Sequence, residues 1–185
     1  MINKLLHFRR FRKIRRYTPK LWLLSQENLG YIQIPKVASS SIHIALISHV
    51  MGTDASTFEK HKVKELSNTH STHLKQELIR NNHPDAFIFS FVRDPYARLY
   101  SCYKNKVGKS NLKKNIFACH NINLDDSFDT FVEKICEIPD IESDRHFRSQ
   151  SWFLMNGTQL IPDFVGKLEN MDSDWTTLSD RFNLP

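Results

Sequence analysis

The sequence predicts a three-layer α/β fold, a central and mainly parallel sheet flanked by helices. Three observations carry this. Ala86-Phe87-Ile88-Phe89-Ser90-Phe91-Val92 is apolar on both faces, as a strand inside a parallel sheet must be. Tyr31-Ile32-Gln33-Ile34-Pro35 reads as a second buried strand, closed by proline. Between and after these runs, helical periodicity alternates with strand pattern, and only five glycines are available for an all-β chain with many turns.

The elements follow in order. Residues 1–24 form a basic arm, in which Phe8, Phe11, Ile14 and Tyr17 recur every three residues among arginines and lysines. On an amphipathic helix they share one stripe, which packs on the body or meets anionic lipid or a polyanion. After the strand ending at Pro35, Ile42, Ala45, Leu46 and His49 follow helical spacing, so a helix begins near Ser39–Ser41. Residues 52–70 carry little pattern. A helix is predicted over 72–82, with Leu74, Leu78 and Ile79 on one face. Asp94 caps the helix after the central strand, and Pro95 suits its first turn. Residues 108–125, rich in Asn and Lys, read as a surface excursion, and Phe128–Ile138 as a further helix. Residues 140–157 are irregular, with Asn156-Gly157-Thr158 as a turn; a late strand falls in 160–165 and a last helix in 172–182. There are no repeats, and residues 25–185 are predicted to be one domain.

Charge is local. The first 20 residues hold eight of the 26 basic residues and no acidic one, which leaves 18 basic against 20 acidic in the remainder. A body of net charge −2 does not grip nucleic acid. Cys102, Cys119 and Cys136 are odd in number and widely spaced, which predicts structural thiols in a reducing compartment. No apolar run reaches the ~20 residues of a membrane span. The sequence as it stands predicts a soluble cytoplasmic protein; an upstream anchoring segment would make it membrane-bound and luminal instead.

The chemistry concentrates after the first buried strand. Pro35-Lys36-Val37-Ala38-Ser39-Ser40-Ser41 joins a strand to a helix, where backbone N–H groups and the helix dipole converge on an anion. Ala38 and the serines allow close approach, the hydroxyls add donors, and Lys36 supplies a mobile positive charge. The G-x-x-x-x-G-K-[ST] pattern of triphosphate-binding loops is absent, which counts against a kinase. Arg93 stands where the central strand ends, and its fork suits a phosphate. Ser101 lies seven residues past Asp94, back on the same helical face; Arg98 reads as structural.

These segments together resemble a family. Ile34–Ser41 resembles the 5′-phosphosulfate loop of the carbohydrate sulfotransferases, in the branch of chondroitin-type Golgi enzymes and their bacterial relatives. Phe91-Val92-Arg93-Asp94-Pro95-Tyr96-Ala97-Arg98-Leu99-Tyr100-Ser101-Cys102-Tyr103 resembles its 3′-phosphate segment, and His146–Gln150 and Asp163–Asn170 follow in the family's order. The resemblance covers roughly residues 30–185 and implies a P-loop-like fold, a sulfotransferase domain and the donor PAPS, with PAP as product. It implies a glycan or polysaccharide acceptor and no metal. Lys36, Val37, Ala38, Ser39, Ser40, Ser41, Arg93 and Ser101 would then hold the donor. His73, seven residues before Arg80 and opening the predicted helix, would be the base beside Lys36, with His70 as its substitute. His61, His70 and His73 match no standard zinc spacing. Arg148, Gln150, Trp152 and Lys167 are candidates for lining the acceptor or adenine pocket, whereas Phe153 reads as core. The alternative reading is a module that holds PAP or PAPS without turnover.

Overall fold

A computed structural model describes Ile14, residues 17–108 and residues 115–185. The rest of the predicted amphipathic arm lies outside the described residues. In chain order the elements are β1 (Lys20–Leu24), β2 (Leu29–Gln33), α1 (Ser39–Met51), α2 (Lys60–Thr69), β3 (Ser71–His73), α3 (Gln76–Asn82), β4 (Phe87–Val92) and α4 (Pro95–Lys106). They continue with α5 (Phe128–Cys136), α6 (Gln150–Leu154), β5 (Met155–Asn156), β6 (Gln159–Leu160), β7 (Phe164–Lys167) and α7 (Met171–Phe182). The described residues form two compact units: one holds residues 18–93 and 150–185, the other Ile14, Tyr17 and the described residues of 94–149.

The first unit contains a five-stranded sheet of order β3-β1-β2-β4-β7. β2, β4 and β7 are parallel, while β1 runs against both β2 and β3. Four of the five strands therefore point the same way, the mainly parallel sheet that the sequence predicts. β2 and β4 are buried almost throughout, and the one polar side chain within β4, Ser90, donates to the Ile32 carbonyl at 2.8 Å. Trp22, Tyr31 and Phe89 fall opposite one another on β1, β2 and β4 and share one face. From α1, His43 stacks on Trp22 at 4.6 Å between ring centroids; from α7, Trp175 meets Phe89 and Phe91 edge-on or tilted. Both helices thus cover that face. Gly166 on β7 pairs with Phe91, whose ring fills the space that a Cβ there would take.

Three expectations are corrected in this unit. Lys20–Leu24, assigned to the basic arm, is β1, paired on both sides, and its Leu21 and Trp22 are fully buried. Residues 60–69, which carried little pattern, form α2. The helix predicted from residue 72 begins only at Gln76, because Ser71–His73 pair with β1 and the Leu74 N–H continues that pairing to the Pro19 carbonyl at 3.2 Å. Tertiary pairing overrides the helical periodicity of three residues.

The second unit packs α4 and α5 around Cys102, Val107, Phe117, Ile122, Phe131 and Phe147. Asp94 caps α4, accepting the Ala97 N–H at 2.8 Å, with Pro95 in the first turn as predicted; Ser127 caps α5 in the same way. The segment predicted as a surface excursion is anchored at its far end, since Phe117 and Ile122 are fully buried. Two arginines are internal. Arg98 donates to the Arg148 carbonyl at 2.8 Å and to that of Arg145 at 3.2 Å, the structural role predicted for it. Arg148, put forward for a pocket, is 1% exposed and spends its guanidinium on the carbonyls of Asp140 and Ile141. It ties the 140–149 segment together, as a buried cation must be matched by acceptors.

Candidate functional site

The loop between β2 and α1 is built on two left-handed residues, Lys36 at φ 74° and Ala38 at φ 52°. Such conformations cost a side-chain-bearing residue of order 1 kcal/mol, and they persist where the surrounding structure enforces them. The enforcement comes from Pro35 and Val37, both buried, with Val37 0% exposed. Between these anchors Lys36 is half-buried, and the loop delivers Ala38 as the N-cap of α1. No side chain caps that helix. The Ser41 and Ile42 N–H groups turn back to the Ala38 carbonyl at 2.9 and 3.1 Å, and the N–H groups of Ser39 and Ser40, with the left-handed turn before them, are the part of this 13-residue helix's start that can be offered to an anion. Ser39 is half-buried, and Ser40 and Ser41 are exposed at the same end.

Arg93 follows β4, the strand parallel to and beside β2, so both chain exits fall at one edge of the sheet. The Arg93 guanidinium reaches the Lys36 carbonyl at 3.5 Å. That is long for a hydrogen bond, and the fork is not committed to it. Its backbone is held at both ends by Gln150, whose Oε1 accepts from the Arg93 N–H at 2.9 Å and whose Nε2 donates to the Arg93 carbonyl at 2.7 Å.

His73 lies on the edge strand. It pairs with Lys20 on β1, which pairs in turn with Gln33 at the end of β2, so the three residues form one row across the sheet. Gln33 stands three residues before Lys36. Strands are about 4.8 Å apart, so His73 lies about 10 Å from Gln33 along that row. The His73 Nδ1 is 3.1 Å from the Thr18 carbonyl. A carbonyl only accepts, so Nδ1 carries the hydrogen and the lone pair of the neutral ring sits on Nε2, the form a general base needs. His70 is placed differently. It ends α2, its carbonyl accepts the Leu23 N–H, and its ring lies over Trp22 at 6.1 Å.

Beside the loop, α1 and α7 enclose a cleft of about 400 Å³, lined by Ser41, Ile42 and Ala45 on one side and Met171, Asp172, Trp175 and Thr176 on the other. Trp175 was not singled out in the sequence, although Asp172, Trp175 and Thr176 stand at the spacing of one helix face. Of the other candidates, Phe153 is core as predicted, Trp152 accepts from the Gln76 side chain through its carbonyl, and the exposed Lys167 is tied by its N–H to Asp174. Ser101 lies on α4 in the other unit, half-buried, its carbonyl accepting from Asn105; its pairing with Arg93 rests on the sequence reading. Among the described residues no cluster of His, Cys, Asp and Glu is arranged to hold a metal ion, and no helix is long and apolar enough to cross a membrane.

Beneath the loop, His43 carries a consequence for stability. Burial, helped by the charge of Lys20, pushes its imidazole down to about 4 from its ordinary 6.5. Between these values the unfolded chain binds the proton that the folded chain refuses, so stability falls as pH drops through the window. Burial lowers His146 in the same direction. The expected loss at His43 is roughly 2 kcal/mol by pH 5. Urea midpoints measured from pH 7 to pH 4.5 should show this decline, and His43→Phe should flatten it.

A left-handed turn between a buried strand and a helix start, with an arginine at the end of the adjacent parallel strand, defines the class: an α/β protein whose loop and arginine meet at one edge of a mainly parallel sheet. The sulfotransferase family model matches residues 19–185, and the chain belongs to that family. Searches of curated proteins and of solved structures return no significant match.

Proposed function

We propose that the protein transfers a sulfuryl group from PAPS to a hydroxyl of a glycan or polysaccharide. The observation that carries this reading is the loop itself: an uncapped helix start, two left-handed residues and Lys36, with the Arg93 guanidinium at its margin. The residues present suit a donor with charge at two places. The loop N–H groups and Ser39–Ser41 take the 5′-phosphosulfate, Arg93 takes the 3′-phosphate, and the cleft against Trp175 is roomy enough for the nucleoside. The role of Ser101 at the 3′-phosphate rests on its sequence motif.

When bound, the donor supplies an activated sulfuryl group: its S–O bond to the 5′-phosphate breaks as an S–O bond to the acceptor oxygen forms, and PAP leaves. Lys36 balances the charge that grows on the oxygen left behind. The Nε2 of His73 takes the proton of the attacking hydroxyl. Positioning and charge stabilisation carry most of the rate in such in-line transfers. The carbohydrate class of acceptor is supported by the four motifs in family order.

Thermal melting tests the donor assignment. PAP without a divalent ion is expected to raise the melting temperature, by an amount that grows with the logarithm of its concentration above Kd, and ATP with Mg²⁺ is expected not to. The reverse pattern would turn the reading toward a kinase. Stabilisation by PAP with no sulfated product from any glycan would leave a nucleotide-holding module.

A further inference from the structure

We propose that Gln150 is the positioning residue for Arg93, setting the protein's preference for a nucleotide that carries a 3′-phosphate. The inference rests on the reading of Arg93 as the ligand of that phosphate.

β4 is held by parallel neighbours along its length, and its last registered pair is Val92 with Lys167. Arg93 is therefore the first residue beyond the ladder, where a chain normally loosens. One side chain takes over from the missing strand. The planar amide of Gln150 accepts from the Arg93 N–H at 2.9 Å and donates to the Arg93 carbonyl at 2.7 Å, as a neighbouring strand would. Both backbone polar groups of Arg93 are fixed, and with them the direction of its Cα–Cβ bond. The guanidinium, only 3.5 Å from the Lys36 carbonyl, keeps its strong donors for an anion.

Gln150 can do this because it is itself anchored. It opens α6, whose Phe153 and Leu154 are core residues and whose Trp152 carbonyl accepts from Gln76 at 2.6 Å. The Leu154 carbonyl accepts the Ile161 N–H at 2.8 Å. The chemistry is also selective. Glutamate accepts but cannot donate, and would set a carboxylate oxygen against the Arg93 carbonyl. Methionine has the length and neither hydrogen bond. Only glutamine supplies one acceptor and one donor at this reach.

The test compares PAP with AMP, which lacks the 3′-phosphate, by calorimetry on the full chain. Wild type is expected to bind PAP more tightly than AMP, and Arg93→Ala to erase that preference. Gln150→Met is expected to weaken PAP about tenfold, the size of one well-placed hydrogen bond, while leaving AMP unchanged. In the Arg93→Ala background Gln150→Met should add nothing, because it acts through the arginine. Gln150→Glu, which keeps the shape, should lose the same preference and serves if the methionine variant folds poorly. A PAP-to-AMP ratio unchanged in both Gln150 variants overturns the proposal, as do losses that multiply with Arg93→Ala. If wild type shows no preference for PAP, the reading of Arg93 itself falls. If only Arg93→Ala removes the preference, that reading stands and the role of Gln150 falls alone.

Discussion

Replacing Lys36 by alanine is expected to slow sulfuryl transfer by about 10²–10³-fold, the usual cost of removing one group aimed at developing charge. The fold should survive the change. Lys36 is half-buried between the anchors Pro35 and Val37, which bring the loop to the helix start without it. Its left-handed φ of 74° is no harder for alanine than for lysine. PAP keeps the oxygen on which that charge has grown, so the loss of Lys36 should weaken PAP as well as slow turnover, whereas the intact donor, whose charge has not yet developed, should bind almost as before. Lys36→Arg should restore little, because a planar fork does not reproduce a compact ammonium at one oxygen. Turnover with labelled donor and PAP affinity by calorimetry check this together. An alanine variant that transfers at the wild-type rate would remove Lys36 from the mechanism.

The second large effect is expected at His73. His73→Ala should lower turnover by about 10²–10⁴-fold, as the loss of a positioned proton acceptor does, with donor affinity unchanged. The Thr18 carbonyl, 3.1 Å from Nδ1, sets the tautomer this role calls for, with the proton on Nδ1 and the lone pair on Nε2. His70→Ala, by contrast, should cost stability through its ring over Trp22 and leave the chemical step nearly intact. Added imidazole should partly restore a His73→Gly variant and not a His70→Gly one. If the His70 variant loses turnover while the His73 variant keeps it, the two roles are exchanged.

The strand–loop–helix turn at Pro35–Ser41 was readable in the sequence because its signals are local. A buried strand, small residues and a helix start within eleven positions leave few alternatives, and the Asp94–Pro95 cap is local in the same sense. The readings that failed depended on partners distant in the chain. Lys20–Leu24 looked like the end of an arm because a five-residue strand inside a sheet shows no alternation; β2 and β3 bury it. His73 looked like the start of a helix because Leu74, Leu78 and Ile79 carry a helical period, which says nothing of the three-residue ladder just before it. Arg148 and Gln150 stand two positions apart and were read alike. One is an internal staple for carbonyls, and the other grips a residue 57 positions away. No periodicity distinguishes them, since the difference lies in what the fold sets opposite each.

The pair of left-handed residues in the loop has a consequence for the thermodynamics of donor capture. A flexible, glycine-rich cradle is ordered only when the anion arrives, and that ordering is subtracted from affinity. Here alanine and lysine hold the turn, buried neighbours fix it, and the entropy is lost once, during folding. Capture should then proceed with little loop rearrangement and a modest entropic penalty, so that the protein meets its donor as a nearly finished mould.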